Sequence, residues 1–266
     1  MNWHLLKATL YQRRTALMWY SISLISYSVM ITWYFPIIAK TNLDAIIETM
    51  PEEILAFFSG GSGVSLFTFG GFIATEYTGF IWVLIMAAAG ITFAVKSYSS
   101  EIASGTMELL LAQPVSRRSL ATTRSVALAV FVAVLVVSTF ASIQITALVF
   151  DIGYDVGNLW LAAAVGGLLS LAISSVAMLL ASASRESARP AGIAGGVLGV
   201  MWVVHFLAGS AEWAEALEPV NLFRYWDSAT ILDKGVVEPS VWWVLGAISL
   251  AALIASVVVF SRRDVA

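Results

Sequence analysis

The chain has 266 residues, of which 59% are hydrophobic and only 12% are charged, and its mean hydropathy is +0.87. This composition excludes a water-soluble globular domain, because a domain of this length cannot bury so much apolar surface. The absence of cysteine excludes disulfide frameworks, thiolate zinc sites and iron–sulfur centres, and the net charge of −3 indicates no class of partner.

The first predicted element is a short amphipathic helix over residues 1–14. Trp3, Leu6 and Leu10 recur at the spacing of one helical face, and basic residues surround them. This pattern is typical of a helix that lies on the inner leaflet of a membrane.

Six apolar runs follow, each long enough to cross a bilayer as a helix. A hydrocarbon core about 30 Å thick requires roughly 20 apolar residues. The runs are continuous rather than alternating, and every backbone amide in lipid needs a partner, so they predict helices and not a β-barrel. We therefore expect an all-α integral membrane protein, a single transmembrane domain over 1–266 with spans at about 15–38, 72–95, 125–150, 159–183, 189–209 and 241–260.

The basic residues determine the predicted orientation. With these spans, the 14 Lys and Arg residues divide into eleven on one side and three on the other. Lys and Arg are retained on the cytoplasmic side of membrane proteins. The N-terminus and the C-terminus are therefore both predicted to be cytoplasmic. Glu76, near the start of the second span, is expected to reach the outer surface or to pair with Arg224 or Lys40.

The cytoplasmic loop over 96–124 carries the most detailed pattern. If it forms one helix, Glu101, Ser104 and Glu108 share a face. Pro114 should end that helix by Gln113. Ser116 can then cap a second helix, which begins with the pair Arg117 and Arg118 and leads into the third span.

Small and hydroxyl-bearing residues recur within the later spans. In the third span four hydroxyls share a face and either line a substrate path or bond to their own helix; they are Ser138, Thr139, Ser142 and Thr146. Gln144 should bond across to another helix. Rows of small residues favour close helix packing, in the fourth span at Gly166, Ser170 and Ser174 and in the fifth at Gly192, Gly195, Gly196 and Gly199.

The 96–124 loop resembles the cytoplasmic loop of the type-2 ATP-binding-cassette (ABC) transporter permeases. Their pattern is a Glu, then Gly-Thr, then Glu-Leu-Leu-Leu, then Pro-Val-Ser-Arg. The matching residues are Glu101, Gly105 and Thr106, the run Glu108–Leu111, and the run Pro114–Arg117. A second resemblance lies in Pro219–Asp227, with Gly235 shortly after, which is similar to the segment before the final span of these permeases.

The resemblance implies that the loop is a coupling helix, which docks into a separate ABC ATPase subunit and converts its closure into movement of the spans. Glu108 and Arg117 would make charge-assisted contacts with the ATPase. Gly105 would permit a bend, and Pro114 would define the second turn. The coupling residues implied in this way are Glu101, Gly105, Thr106, Glu108, Pro114, Arg117 and Arg118.

The resemblance also implies partners and a setting. No G-x-x-x-x-G-K-[ST] motif occurs in the sequence, so ATP and Mg²⁺ are expected on the partner ATPase, with no cofactor or metal bound by this chain and no enzymatic activity of its own. Six spans are half of the usual transport unit, so a second permease chain, identical or a sister, is expected. The family implies an ATP-driven exporter in the prokaryotic cytoplasmic membrane, surrounded by lipid and without a nucleic-acid partner. Apolar walls with hydroxyls suit hydrophobic drugs, antibiotics or lipids.

Two other classes of function are compatible with parts of the sequence. The run Gly60–Gly63 matches the G-x-S-G of rhomboid-like intramembrane serine proteases, with Ser62 as nucleophile and His205 as base, but Ser62 lies in an outer loop rather than within a span. An ATPase-independent channel or secondary transporter would require charged or broken helices near the midplane, and few charges lie there.

Overall fold

The computed structural model describes residues 3–39, 68–113, 115–208 and 211–263, of which 86% are helical, with no strand among them. Six helices are long and apolar enough to cross a membrane. The predicted fold class, an all-α membrane protein with six spans, is confirmed. The spanning helices are α1 (Trp3–Ala39), α3 (Ile81–Ser97), α6 (Arg117–Val149), α7 (Val156–Ala183), α8 (Ala188–Leu207) and α11 (Pro239–Arg262).

Shorter elements connect or extend these spans. α2 (Phe69–Ile73) and a π-helical turn (Ala74–Thr78) precede α3 on the outer side. The other short elements are α4 (Ser99–Ala103), α5 (Thr106–Leu111), α9 (Glu212–Glu215), α10 (Ser228–Lys234) and two 3₁₀ turns, Glu218–Val220 and Leu222–Tyr225.

The predicted separate surface helix over 1–14 is wrong, because α1 continues from Trp3 into the first span without a break. No Gly or Pro occurs between Trp3 and Phe35, so nothing interrupts the helical hydrogen bonds. At 37 residues α1 is about 55 Å long, well beyond a hydrocarbon core of about 30 Å. Its first turns therefore extend past the core on the side of the 96–124 loop.

The second span begins irregularly, and Glu76 lies in its π-helical turn. The Glu76 side chain is exposed. Within the described ranges Glu76 has no ion pair with Arg224, and Lys40 lies outside them. The expected exposure of Glu76 is therefore confirmed, whereas its expected pairing with Arg224 is not seen.

The helices α3 and α7 form the centre of the bundle. In each, 61% of the apolar window is buried, whereas the corresponding share of α8 is 17%. Close packing at α7 depends on Gly166, where an added Cβ would come within 2.8 Å of the rings of Trp82 and Trp226. Gly90 of α3 faces Ser174 in the same way. The packing role predicted for the α7 row is thus confirmed.

The α8 row differs, since a Cβ on Gly192, Gly195, Gly196 or Gly199 would meet nothing within 4 Å in the described part of the chain. The predicted packing of this row against other helices is therefore not seen among the described residues. The prediction for Gln144 is confirmed, because its Oε1 accepts a hydrogen bond from Trp160 Nε1 of α7 at 2.9 Å.

The segment between α8 and α11 folds back on the outer ends of the spans. Trp226 Nε1 donates to the Thr78 carbonyl at 2.9 Å, and Asn221 Nδ2 donates to the Met201 carbonyl at 2.7 Å. Asp227 caps α10 by accepting from the Thr230 amide at 3.0 Å. The first two bonds hold this segment on the π-helical turn before α3 and on α8.

Candidate ATPase-coupling site

The 96–124 loop forms two short helices rather than one. α4 ends at Ala103 and α5 begins at Thr106, and Gly105 between them has φ of +73°. Glycine enters this left-handed region without the steric cost of a Cβ, so the bend expected at Gly105 is present. The expectation that Glu101, Ser104 and Glu108 share one helical face is wrong, because the helix is broken before Glu108.

The far end of the loop follows the sequence pattern. α5 ends at Leu111, before Gln113, as predicted. Pro114 lies outside the described residues. Ser116 Oγ accepts a hydrogen bond from the Ser119 amide at 3.2 Å and caps α6, as expected.

Glu101 is turned into the protein, where its carboxylate joins two helices. One oxygen lies 3.1 Å from Nη2 of Arg13 in α1, and the other accepts from Nη2 of Arg124 in α6. Arg13 Nη2 also donates to the Lys96 carbonyl at 2.6 Å, and Arg124 donates to the Ser97 carbonyl. Only 15% of the Glu101 side chain and 4% of the Arg124 side chain are exposed. Glu101 therefore fastens the loop to α1 and α6.

On the inner side of the loop, Met107 of α5 is fully buried. Its sulfur lies 3.7 Å from Arg124 Nη1, so the same arginine contacts both short helices. The Arg124 guanidinium also lies over the Tyr98 ring, 5.3 Å from its centroid, and Tyr98 packs on Phe260 of α11 at 4.9 Å. The loop is thus held on α1, α6 and α11 by side chains that face away from solvent.

The opposite face of the loop is open. Leu109 of α5 is 72% exposed, so its side chain is available for contact. Three polar residues of the loop are exposed as well, Thr106 and Glu108 on α5 and Arg118 at the start of α6. An exposed apolar side chain and exposed charged groups within one loop suit a protein partner.

The two arginines after Ser116 are directed differently. Arg117 is half-buried and donates through Nη1 to the Arg263 carbonyl at the end of α11, whereas Arg118 is exposed. The predicted coupling residues are therefore divided into an open group, Thr106, Glu108 and Arg118, and an inward group, Glu101 and Arg117.

Sequence reasoning did not identify Arg13 and Arg124 as members of this site, because they were counted only as cytoplasmic cations. A signal for Arg124 was available, since it lies immediately before the apolar run predicted as the span 125–150. An arginine there needs a buried anion. Leu109 was also missed as a contact, because a leucine within an apolar run does not indicate exposure.

The hydroxyls predicted to line a path bond within their own helix. Thr139, Ser142 and Thr146 are buried and donate to the carbonyls of Leu135, Thr139 and Ser142 at 2.9, 2.7 and 2.8 Å. Ser138 donates to the Val134 carbonyl at 2.7 Å. Thr139 also accepts from Trp82 Nε1 at 3.1 Å. These bonds agree with the expectation of hydrogen bonding within the helix, while the expectation of a substrate path stays a prediction.

Among the described residues, metal-ligating side chains do not cluster. Across the described ranges, no group of three or more His, Cys, Asp or Glu residues could hold a metal ion. His205, the base of the protease alternative, has Glu218 as its neighbour, with Nδ1 and Oε1 2.7 Å apart. Ser62 and its neighbours lie outside the described residues.

Comparison with known proteins agrees with the geometry of the loop and the spans. The model of the ABC-2 family of transporter proteins matches residues 21–265, which include the 96–124 loop and most of all six spans. No curated protein matches the chain. Since this match extends over most of the chain, the protein belongs to the ABC-2 transporter family, as a multi-pass membrane permease of an ABC transporter.

Proposed function

We propose that this permease is the membrane subunit of an ATP-driven exporter in the prokaryotic cytoplasmic membrane, and that it couples through the 96–124 loop to a separate ATPase. ATP and Mg²⁺ would bind on that ATPase. The observation that carries the proposal is the exposed face of α5. The loop that contains α5 is attached to α1 and α6 by the largely buried ion pairs of Glu101. The family implies an ATPase partner for the permease. The direction of transport follows from the resemblance of the loop motif.

The exposed face of α5 has the composition of a docking surface. Leu109 can enter an apolar groove, and a buried apolar anchor of this kind often carries much of the binding energy of an interface. Glu108 of α5 and Arg118 at the start of α6, of opposite charge and both exposed, can form charge-assisted hydrogen bonds to the same partner. The two charges also restrict the orientation of the partner, because like charges placed opposite them would repel.

The buried side of the loop supports transmission of movement. The carboxylate of Glu101 is bound by Arg13 of α1 and by Arg124 of α6, so displacement of the loop displaces both helices or breaks these pairs. Breaking a buried ion pair by separating its partners is costly. We therefore assign Glu101 as a positioning residue and Glu108 as a docking residue. ATP shifts the permease between states only if the ATPase binds those states with different affinity.

The proposal includes a second permease chain, either identical or a sister, because six spans are half of the transport unit that the resemblance implies. The sparsely covered helix α8 leaves room for further helix packing in such an assembly. The apolar groove between α6 and α7, lined by Val136, Ala163 and Gly167 among others, is consistent with a hydrophobic substrate.

Co-purification tests the coupling assignment. The tagged permease is solubilised from its native membrane in mild detergent, and the bound ATPase is quantified for the wild type, Glu108→Arg and Leu109→Ala. We expect a stoichiometric ATPase with the wild type and a reduced amount with both variants. Glu212→Arg is the matched control, since it makes the same charge change at an exposed residue in another segment of the chain and should retain the ATPase.

Two results would overturn the proposal. Full retention of the ATPase and of ATP-driven transport by correctly inserted Glu108→Arg and Leu109→Ala would exclude α5 as the docking surface. Recovery of the wild type without any ATPase, under conditions that keep a known ABC complex intact, would favour an ATPase-independent channel or secondary transporter.

A further inference from the structure

A second basic feature lies on the cytoplasmic side, apart from the 96–124 loop. A cavity of about 580 Å³ opens where α7 ends, α8 begins and α11 ends. Its lining includes Arg185, Arg189 and Arg263, together with one acid, Glu186. The volume is within the roughly 300–1,000 Å³ that is usual for ligand sites. Three cations against one anion leave the lining with an excess of two positive charges.

The described part of the chain gives these cations no anionic partner. Within the described ranges, none of the three arginines forms an ion pair. The guanidinium of Arg263 is held in place because its Nη1 donates to the carbonyls of Ser182 and Ser184 at 2.8 and 2.9 Å. Burial, followed by the neighbouring charge of Arg185, lowers the pKa of Arg263. The cavity is therefore a preformed place for an anion.

The start of α8 adds to this preference. Its N-cap, Ser187, makes no side-chain capping bond, so the first amide groups of a 20-residue helix are not satisfied by that side chain. The positive end of the helix dipole favours an anion at this point. Arg189 lies in the first turn of the same helix, so its charge and the helix dipole act in the same direction.

The deeper wall of the cavity is apolar. Leu180 of α7 and Pro190 and Ile193 of α8 line it, and all three belong to membrane-spanning helices. Ile193 is exposed, on a helix that the rest of the described chain covers sparsely. A ligand that fits therefore has an anionic head at the cytoplasmic boundary and an apolar part that runs along α8 into the hydrocarbon.

We propose that this cavity binds an anionic phospholipid of the inner leaflet, with its phosphate between Arg185, Arg189 and Arg263 and an acyl chain against Ile193. Basic pockets between spans on the cytoplasmic side recognise such headgroups. A protein partner is less suitable, because the apolar wall lies within the membrane-spanning helices. This inference depends on the membrane topology and not on the coupling proposal.

Lipid retention tests the inference. The full-length permease is reconstituted in phosphatidylcholine vesicles that contain phosphatidylglycerol, extracted gently, and analysed by native mass spectrometry for bound phosphatidylglycerol. We expect the wild type to retain phosphatidylglycerol in preference to phosphatidylcholine. Arg185→Gln combined with Arg189→Gln should weaken this retention roughly thirtyfold, since each cation near the surface strengthens binding several-fold.

Two variants control for charge and folding. Arg262→Gln removes an exposed cation adjacent to Arg263 and should leave retention unchanged. Arg185→Lys combined with Arg189→Lys keeps the charges and should keep most of the binding. Both double variants should elute as the same species in detergent. If the lysine variant then binds lipid and the glutamine variant does not, the loss of lipid binding results from removal of the two charges and not from misfolding.

Three results would overturn the inference. Equal retention of phosphatidylglycerol by the wild type and the glutamine variant would show that the cavity does not hold the headgroup. Displacement of the lipid by millimolar inorganic phosphate, with the acyl chain contributing nothing, would identify a site for free phosphate. Loss of the ATPase from the glutamine variant with unchanged lipid retention would identify the ATPase as the occupant.

Discussion

Glu101 and Arg124 form an ion pair that joins the 96–124 loop to the start of α6, and both side chains are largely withdrawn from water. Arg13 of α1 binds the second carboxylate oxygen at 3.1 Å. Glu108, seven residues further along the same loop, is exposed and has no ion pair among the described residues. Two glutamates of one motif thus have different physical roles, because the left-handed conformation of Gly105 separates the helices that carry them.

Neutralising Glu101 should destabilise the permease far more than neutralising Glu108. Glu101→Gln leaves Arg13 and Arg124 without their anion, and removal of one partner of a largely buried pair costs about 3 kcal/mol. Glu108→Gln changes an exposed residue and should stay within about 0.5 kcal/mol. The free energy of unfolding, measured by titration with a denaturing detergent, distinguishes the two. Equal losses in both variants would contradict the inward assignment of Glu101.

Gly105→Ala should destabilise the loop although nothing crowds the position. An added Cβ meets nothing within 4 Å, so the cost is the backbone conformation alone, about 1–2 kcal/mol. Gly246→Ala in α11 is the matched control, because its surroundings are equally open but its backbone is helical, and alanine there should stabilise by up to about 1 kcal/mol. Thermal unfolding in detergent measures both. Gly105→Asn should recover part of the loss, since asparagine adopts this conformation more readily than alanine.

Gly166→Ala should destabilise the bundle through overpacking. Its Cβ would lie 2.8 Å from ring atoms of Trp82 and Trp226, both buried, and such insertions cost about 1–3 kcal/mol. The adjacent Gly167→Ala is the control, since its Cβ would lie 3.4 Å from a side-chain carbon of Val136. Thermal unfolding of the two variants should differ clearly. A larger effect at Gly167 would show that the α3–α7 contact is not as close as described.

Leu109→Ala and Met107→Ala should separate docking from stability. Leu109 is exposed and its truncation should weaken ATPase binding by about 1–2 kcal/mol without changing the unfolding of the isolated permease. Met107 is fully buried, so its truncation leaves a cavity and should cost about 2–5 kcal/mol of stability. ATPase binding at graded concentrations and detergent unfolding are measured on both variants. A loss of stability in Leu109→Ala would argue that this side chain packs within the permease.

The amino-acid sequence by itself determined the six spans and their approximate limits. The run predicted at 159–183 corresponds to Val156–Ala183, and the run predicted at 189–209 corresponds to Ala188–Leu207. These limits follow from hydropathy, because a backbone in lipid satisfies its hydrogen bonds within each helix and so depends on local sequence. Local motifs likewise predicted the cap at Ser116 and membership of the transporter family.

Tertiary structure decided which side chains face each other. Glu101 meets Arg13 and Arg124, which are 88 and 23 residues away along the chain, and no local periodicity encodes such contacts. The small-residue rows of α7 and α8 have similar spacing, yet Gly166 lies against two tryptophan rings and Gly192 faces open space. Helix formation depends on residues that are close in the sequence, whereas the burial of a carboxylate or a glycine depends on which helices pack together. The division of the 96–124 loop into a buried side and an exposed face was therefore determined by the assembled bundle.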